Sequence, residues 1–292
     1  MGAHIRTVCL LVLLTVLLVG IGYAVGFFLG IPVTYTLTIA FGFAILLNIV
    51  TYWYSHKWVL KMYKAKIVSE KEEPKLHQMI GRLAAYADLP KPKVAITKSD
   101  TPNAFATGRN PSHAVIAVTK GAKNLLSEEE LEGVLSHEMA HIKNRDMLVN
   151  TMAAMIAGAI AYIGFAGRFG LFFGGGRRGG GILALIAIIL LPIAAILVRF
   201  SISRTREYGA DREGANISGK PLALASGLKT IENSVKNKVK SGRRPEKGNP
   251  ATSHLFIVNP FRGSSLTELF STHPATEKRI ERLEKIAADR DF

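Results

Sequence analysis

The sequence predicts an α-helical membrane protein that also carries a soluble α+β part, and three observations lead there. Four apolar runs, each near the ~20 residues needed to cross a bilayer, fall into two close pairs. The stretches between and after the pairs are charged and show the patterning of soluble helices and strands. A positive mean hydropathy coexists with 37 Lys+Arg among 292 residues, which one uniform soluble core does not allow.

The first pair is Val8 to Leu29 and Val33 to Tyr54, parted only by Gly30-Ile31-Pro32. The first run is too long for a signal peptide and is followed at once by a second, so residues 1–56 read as a retained helical hairpin. Arg6 precedes it and Lys57, Lys61, Lys64 and Lys66 follow it, whereas the turn is uncharged, so both ends are expected on the cytoplasmic side. Residues 57–148 read as soluble. Leu76, Ile80, Leu83 and Ala84 mark an amphipathic helix. Lys93 to Ile96, Asn103 to Ala106 and Ala114 to Val118 are separated by Pro- and Gly-containing turns and suggest a small antiparallel sheet. Ser127 and Glu130 then form an S-x-x-E capping box, which opens a helix carrying Leu131, Val134 and Leu135 toward a core.

The second apolar pair, Met147 to Phe165 and Ile182 to Phe200, is expected to form a second hairpin over 149–200, crossing or re-entrant, around a Gly/Arg loop at 167–181. Residues 201–292 are soluble again. Lys236 to Pro250 reads as a basic surface loop, and Glu277 to Ala288 as a helix.

The net charge of +15 raises the question of nucleic acid, but no zinc-finger or RNP motif accompanies it, and anionic lipid headgroups are the expected counterpart. Cys9, the only cysteine, lies in an apolar run, which excludes a disulfide framework and leaves it as a small packing residue.

The capped helix contains His137-Glu138-Met139-Ala140-His141. Residues i and i+4 share a helix face, so both imidazoles reach one metal ion, while Glu138 follows about 100° around the axis. Two neutral imidazoles on zinc and a carboxylate that accepts a proton from water suit attack on a peptide carbonyl. Catalytic zinc takes a third protein ligand and keeps a fourth position open. Glu207 is the expected ligand. The His137–His141 helix runs into the third apolar run and Glu207 emerges from the fourth, so a hairpin returns it to the same surface. Asp211, four residues on, is placed to orient an imidazole. His4, His56, His77, His113 and His254 show no ligand spacing.

These residues, with Asn103-Ala104-Phe105-Ala106-Thr107-Gly108 before them and Ser271-Thr272-His273-Pro274 and Arg279 after, resemble the HtpX-type membrane metalloproteases, relatives of the CAAX prenyl proteases. The likeness covers nearly the whole chain. It implies a zincin-like gluzincin fold, one zinc per chain on His137, His141 and Glu207, and Glu138 as general base. It also implies stress-linked quality control of misfolded or damaged membrane proteins at a bacterial inner membrane. Asn103 and Ala104 resemble the edge strand on which such proteases lay an extended substrate. His273 and Arg279 are candidates for supporting the oxyanion. Thr-His-Pro is also a plain helix-start signal, with Thr272 as cap and Pro274 in the first turn.

Three rivals are weighed. An intramembrane site-2-type protease conflicts with Glu132, Lys143, Arg145 and Asp146 around the histidine motif. A CAAX-type protease has more spans than this chain offers. A non-catalytic membrane chaperone or scaffold with structural zinc needs four protein ligands, where three are found. The expected partners are polypeptides and the lipid bilayer, with no nucleic acid; the sequence sets no oligomeric state.

Overall fold

A computed structural model describes residues 3–156, 204–240, 255–258 and 274–289. Residues 157–203, and with them the fourth apolar run and the Gly/Arg loop, lie outside the described residues, as do His273, Thr272 and residues 241–250.

Two long apolar helices come first, α1 (Ala3–Leu29) and α2 (Val33–Met62). They form the expected hairpin, closed by Gly30 at a φ of 67°, a left-handed conformation that glycine adopts freely. A Cβ on Gly22 would meet Ala40 Cβ at 2.4 Å, so small residues let the two backbones approach. Asn48 Nδ2 donates to Thr15 Oγ1 at 2.8 Å, a polar rung between the helices. Val33–Met62 is long and apolar enough to cross a membrane, and Ile39, Phe41, Phe43 and Leu46 stand exposed along it. The fully described stretch of α1, Thr7–Tyr23, is shorter. The helix α2 does not stop at Tyr54, as its hydropathy suggested, but continues to Met62 because its last turns pack on the soluble part.

That part contains β1 (Lys66–Ile67), α3 (Pro74–Tyr86), β2 (Lys93–Thr97), β3 (Ala104–Gly108), a 3-10 turn (Pro111–His113), β4 (Ala114–Thr119), α4 (Lys120–Leu125) and α5 (Glu128–Lys143). The strand order is β1-β2-β4-β3. The sheet is mixed, where the strand pattern suggested antiparallel: β2 and β4 are parallel, because β3 swings to the outer edge and returns antiparallel to β4. Every residue of β3 and β4 is buried. Their side chains alternate with the period of a strand. Ala104, Ala106, Ile116 and Val118 face the main core with Leu83, Val134 and Met139. Phe105, Val115 and Ala117 face Val59 and Leu60 of α2. The edge strand is thus held between the end of α2 and the helix bearing the histidines.

The capping box is formed in both directions: Glu130 N donates to Ser127 Oγ at 3.2 Å, and Ser127 N to Glu130 Oε2 at 3.0 Å. After α5, Arg145 adopts a left-handed φ of 56° and the chain turns into α6 (Met147–Ile156), whose Met147, Met152 and Ala153 are buried. Among the described residues three further helices follow, α7 (Arg204–Ser218), α8 (Pro221–Lys240) and α9 (Thr276–Ala288). The expected loop from Lys236 is helical as far as Lys240, because Lys236 pairs with Glu232 one turn back at 3.4 Å and with Glu277 of α9 at 3.5 Å. Pro274 precedes α9 rather than joining its first turn; Ala275 is the N-cap.

Candidate metal centre

Two helices build the centre, and a glycine brings them together. Gly214 of α7 is so close to α5 that a Cβ there would lie 2.9 Å from His137 N and Cα. Glu207 and Asp211 sit seven and three residues before it, on the same helical face, and so point at the histidines.

His137, Glu138, His141, Glu207 and Asp211 are all buried. One donor atom each of His137, His141 and Glu207 lies within 4.8 Å of the others. His137 Nε2 is 3.6 Å from one Glu207 oxygen, and His141 Nε2 is 3.6 Å from the other. These separations are too long for hydrogen bonds. They suit atoms sharing one ion, since ligands on ~2.1 Å bonds at a tetrahedral angle stand roughly 3.4 Å apart. The donor set of two imidazoles and a carboxylate therefore fits a zinc-like ion.

Each imidazole has a carboxylate behind it. His137 Nδ1 lies 3.0 Å from Asp211 Oδ1. Asp211 in turn accepts from Arg279 Nη2 at 2.7 Å and Nε at 2.9 Å, and Arg279 Nη1 donates to the Ile257 carbonyl at 3.1 Å. Arg279 is buried, with its donors on Asp211 and Ile257 and its Nη2 also 3.4 Å from both ring nitrogens of His137, so it fixes Asp211 behind the imidazole. The second pair was not anticipated: His141 Nδ1 lies 3.5 Å from Asp146 Oδ2, and Arg206 Nη1 lies 3.7 Å from Asp146 Oδ1. In the sequence Asp146 is only a flanking charge. It reaches His141 because the left-handed turn at Arg145 folds the chain back, so that Asp146 N donates to the His141 carbonyl.

The charges are tuned by this packing. Burial and Arg279 oppose a proton on His137, yet the neighbouring carboxylates of Asp211 and Glu207 outweigh them and raise it to about 9. The same negative potential favours a divalent cation. Burial alone would raise Asp211, but Arg279 and His137 hold its carboxyl below the usual range. Glu138 is raised chiefly by burial, partly opposed by His137 and His141.

Glu138 Oε2 accepts from Ala106 N at 2.8 Å. Because β3 is an edge strand, the backbone groups of Ala106, and by the two-residue period those of Ala104, face the site and not β4. Asn103 corrects the expectation made for it. Its backbone turns to Thr119, and its buried side chain donates to the Leu255 carbonyl and accepts from Ile257 N. It tethers residues 255–258 beside the strand and is no part of the free edge. The cleft between these elements holds about 30 Å³ and is lined by Phe105, Met147, Leu255, Phe256 and Ile257 around the polar residues. That is room for an ion and one or two waters.

Fold and centre define a metallopeptidase: paired histidines with an intervening glutamate on one helix, a distal glutamate on a second, and a strand edge beside them. The model of peptidase family M48 matches residues 70–287, and the chain belongs to that family. A protease HtpX homolog of Pyrococcus furiosus is 55% identical over 99% of this chain and 97% of its own length. A protease HtpX homolog of Salinibacter ruber is 51% identical over 97% of each. Among solved structures, Ste24p of S. mikatae matches with a TM-score of 0.49 at 17% identity, covering 96% of this chain and 65% of its own. The protein is thus a metalloprotease, a hydrolase acting on polypeptides.

Proposed function

We propose that the protein is a membrane-anchored zinc endopeptidase that hydrolyses peptide bonds in misfolded or damaged membrane proteins, with its catalytic face toward the cytoplasm and two hairpins in the bilayer. The observation that carries this reading is the buried donor triad of His137, His141 and Glu207 with Glu138 at its side. Bound there, zinc would supply a Lewis acid and lower the pKa of water. Glu138 then holds the proton. Burial raises its affinity for a proton, as a base that must take one requires, and the Ala106 amide fixes its carboxylate. Asp211 holds His137 at Nδ1, and Asp146 stands 3.5 Å from Nδ1 of His141, which leaves each Nε2 to hold the ion. The Ala106 carbonyl and the backbone groups of Ala104 take an extended substrate by strand addition, which favours loose sequence preference.

The test compares detergent-purified wild type with Glu138→Gln and Glu207→Ala. Glu138→Gln keeps its zinc and loses about a hundred-fold to ten-thousand-fold in casein cleavage. Glu207→Ala loses zinc under mild chelation. Undiminished cleavage by Glu138→Gln would remove its role as base, and zinc without proteolysis in the wild type would favour a scaffold.

A further inference from the structure

We infer that this site cuts polypeptides close to where they leave the bilayer, within roughly the first three to five residues beyond an apolar segment. The inference rests on the reading of α1 and α2 as a membrane hairpin.

From Val33, about twenty residues of α2, ~30 Å at 1.5 Å each, reach Tyr52. Tyr52, Trp53 and Tyr54 cluster there, with Trp53 46% and Tyr54 53% exposed. Such a group of aromatic rings marks the boundary between hydrocarbon and headgroups. Cations stand at the same level. The Arg109 guanidinium carbon lies 4.4 Å from the Trp53 ring centre, and Lys57 Nζ lies 5.2 Å from that of Tyr54.

Two stretches of chain then measure the height of the site. Along α2, Tyr63 follows Trp53 by ten residues, ~15 Å of helix. The Tyr63 ring packs 5.0 Å from Phe105 and 6.0 Å from Phe256, both of which line the cleft. Along the edge strand, Phe105 and Arg109 are four residues apart, ~13 Å of extended chain. The two lengths agree. The strand β3 runs back beside the last turns of α2, with Arg109 at the aromatic belt and Phe105 and Ala106 at the catalytic level, where the Ala106 amide meets Glu138. The base therefore stands about 10–15 Å beyond the belt, and any tilt of α2 shortens that. An extended substrate covers it in roughly three to five residues. The contact of Arg109 with Trp53 ties the end of the strand to the belt.

The test uses the full-length protein in anionic liposomes with a model substrate: an apolar segment of about 20 residues followed by a linker of one short sequence repeated, so that every distance offers the same bonds. The same linker without the apolar segment is the control. Cut sites are mapped by mass spectrometry. The expected result is a preference of about tenfold or more for bonds within roughly five residues of the apolar segment over those about fifteen residues out, with the free linker cut evenly. Even cutting of the tethered linker overturns the inference and leaves the protease reading intact. If neither linker is cut, while the protein floats with the liposomes, the protease reading beneath it fails as well.

Discussion

At the scale of single residues, each imidazole has a carboxylate and then an arginine behind it: Arg279–Asp211–His137 is closed at 2.7–3.0 Å, whereas Arg206–Asp146–His141 stands at 3.7 and 3.5 Å, separations of charge and not of hydrogen bonds at His141 Nδ1. The first was half legible, because Asp211 follows Glu207 by one helical turn and faces the same way. The second was not, because Asp146 lies beyond the end of α5 and only a left-handed residue turns it back. Asp146→Asn is expected to weaken zinc binding about 10- to 100-fold, measured by competition with a chromophoric chelator, while the metal-free protein melts within a few degrees of wild type. An unchanged affinity would mean that His141 is oriented by something else. Ala106 was equally hidden, since what it contributes is a backbone amide that any residue carries.

At the scale of elements, the approach of α7 to α5 sets the geometry of the centre, and Gly214 permits it. Gly214→Ala places a methyl against the His137 backbone. It should cost about 1–3 kcal/mol in folding and lower zinc affinity, because Glu207 and Asp211 move with α7. Gly209 on the same helix is the internal control. Among the described residues nothing lies within 4 Å of its Cβ position, so Gly209→Ala should stabilise by about 0.5–1 kcal/mol without changing zinc affinity. Denaturant melts with and without zinc separate the two; equal effects would deny the role assigned to the close contact. Elements set by local signals, the capped α5 and amphipathic α3, were readable in the sequence. The parallel pairing of β2 with β4 was not, since strand pattern gives each strand's buried faces but not its neighbour.

At the scale of the whole molecule, a buried carboxylate ties three parts of the soluble unit. Glu132 of α5 accepts from Arg82 of α3 at 3.2 Å and from Lys220, between α7 and α8, at 2.8 Å. Burial alone would raise Glu132, but Lys220 and Arg82 outweigh it and hold it below its ordinary 4.5. A lowered carboxylate contributes stability above its unfolded value and loses it as pH falls through the lower, folded one. The melting temperature of Glu132→Gln should therefore lie below that of wild type at neutral pH, and the gap should close as pH falls below about 4.5. A gap independent of pH would mean that packing, and not charge, makes the difference. The sequence by itself determined the apolar hairpin, the capped helix with His137, Glu138 and His141, and the direction of Glu207 and Asp211, because all of these are periodicities within one element. Only the tertiary structure decided which helix face Glu207 meets, that Asp146 stands behind His141, that Asn103 tethers residues 255–258, and how far the edge strand stands from the membrane end of α2. Those depend on contacts between residues distant in sequence, fixed by close packing and by where a single turn sends the chain.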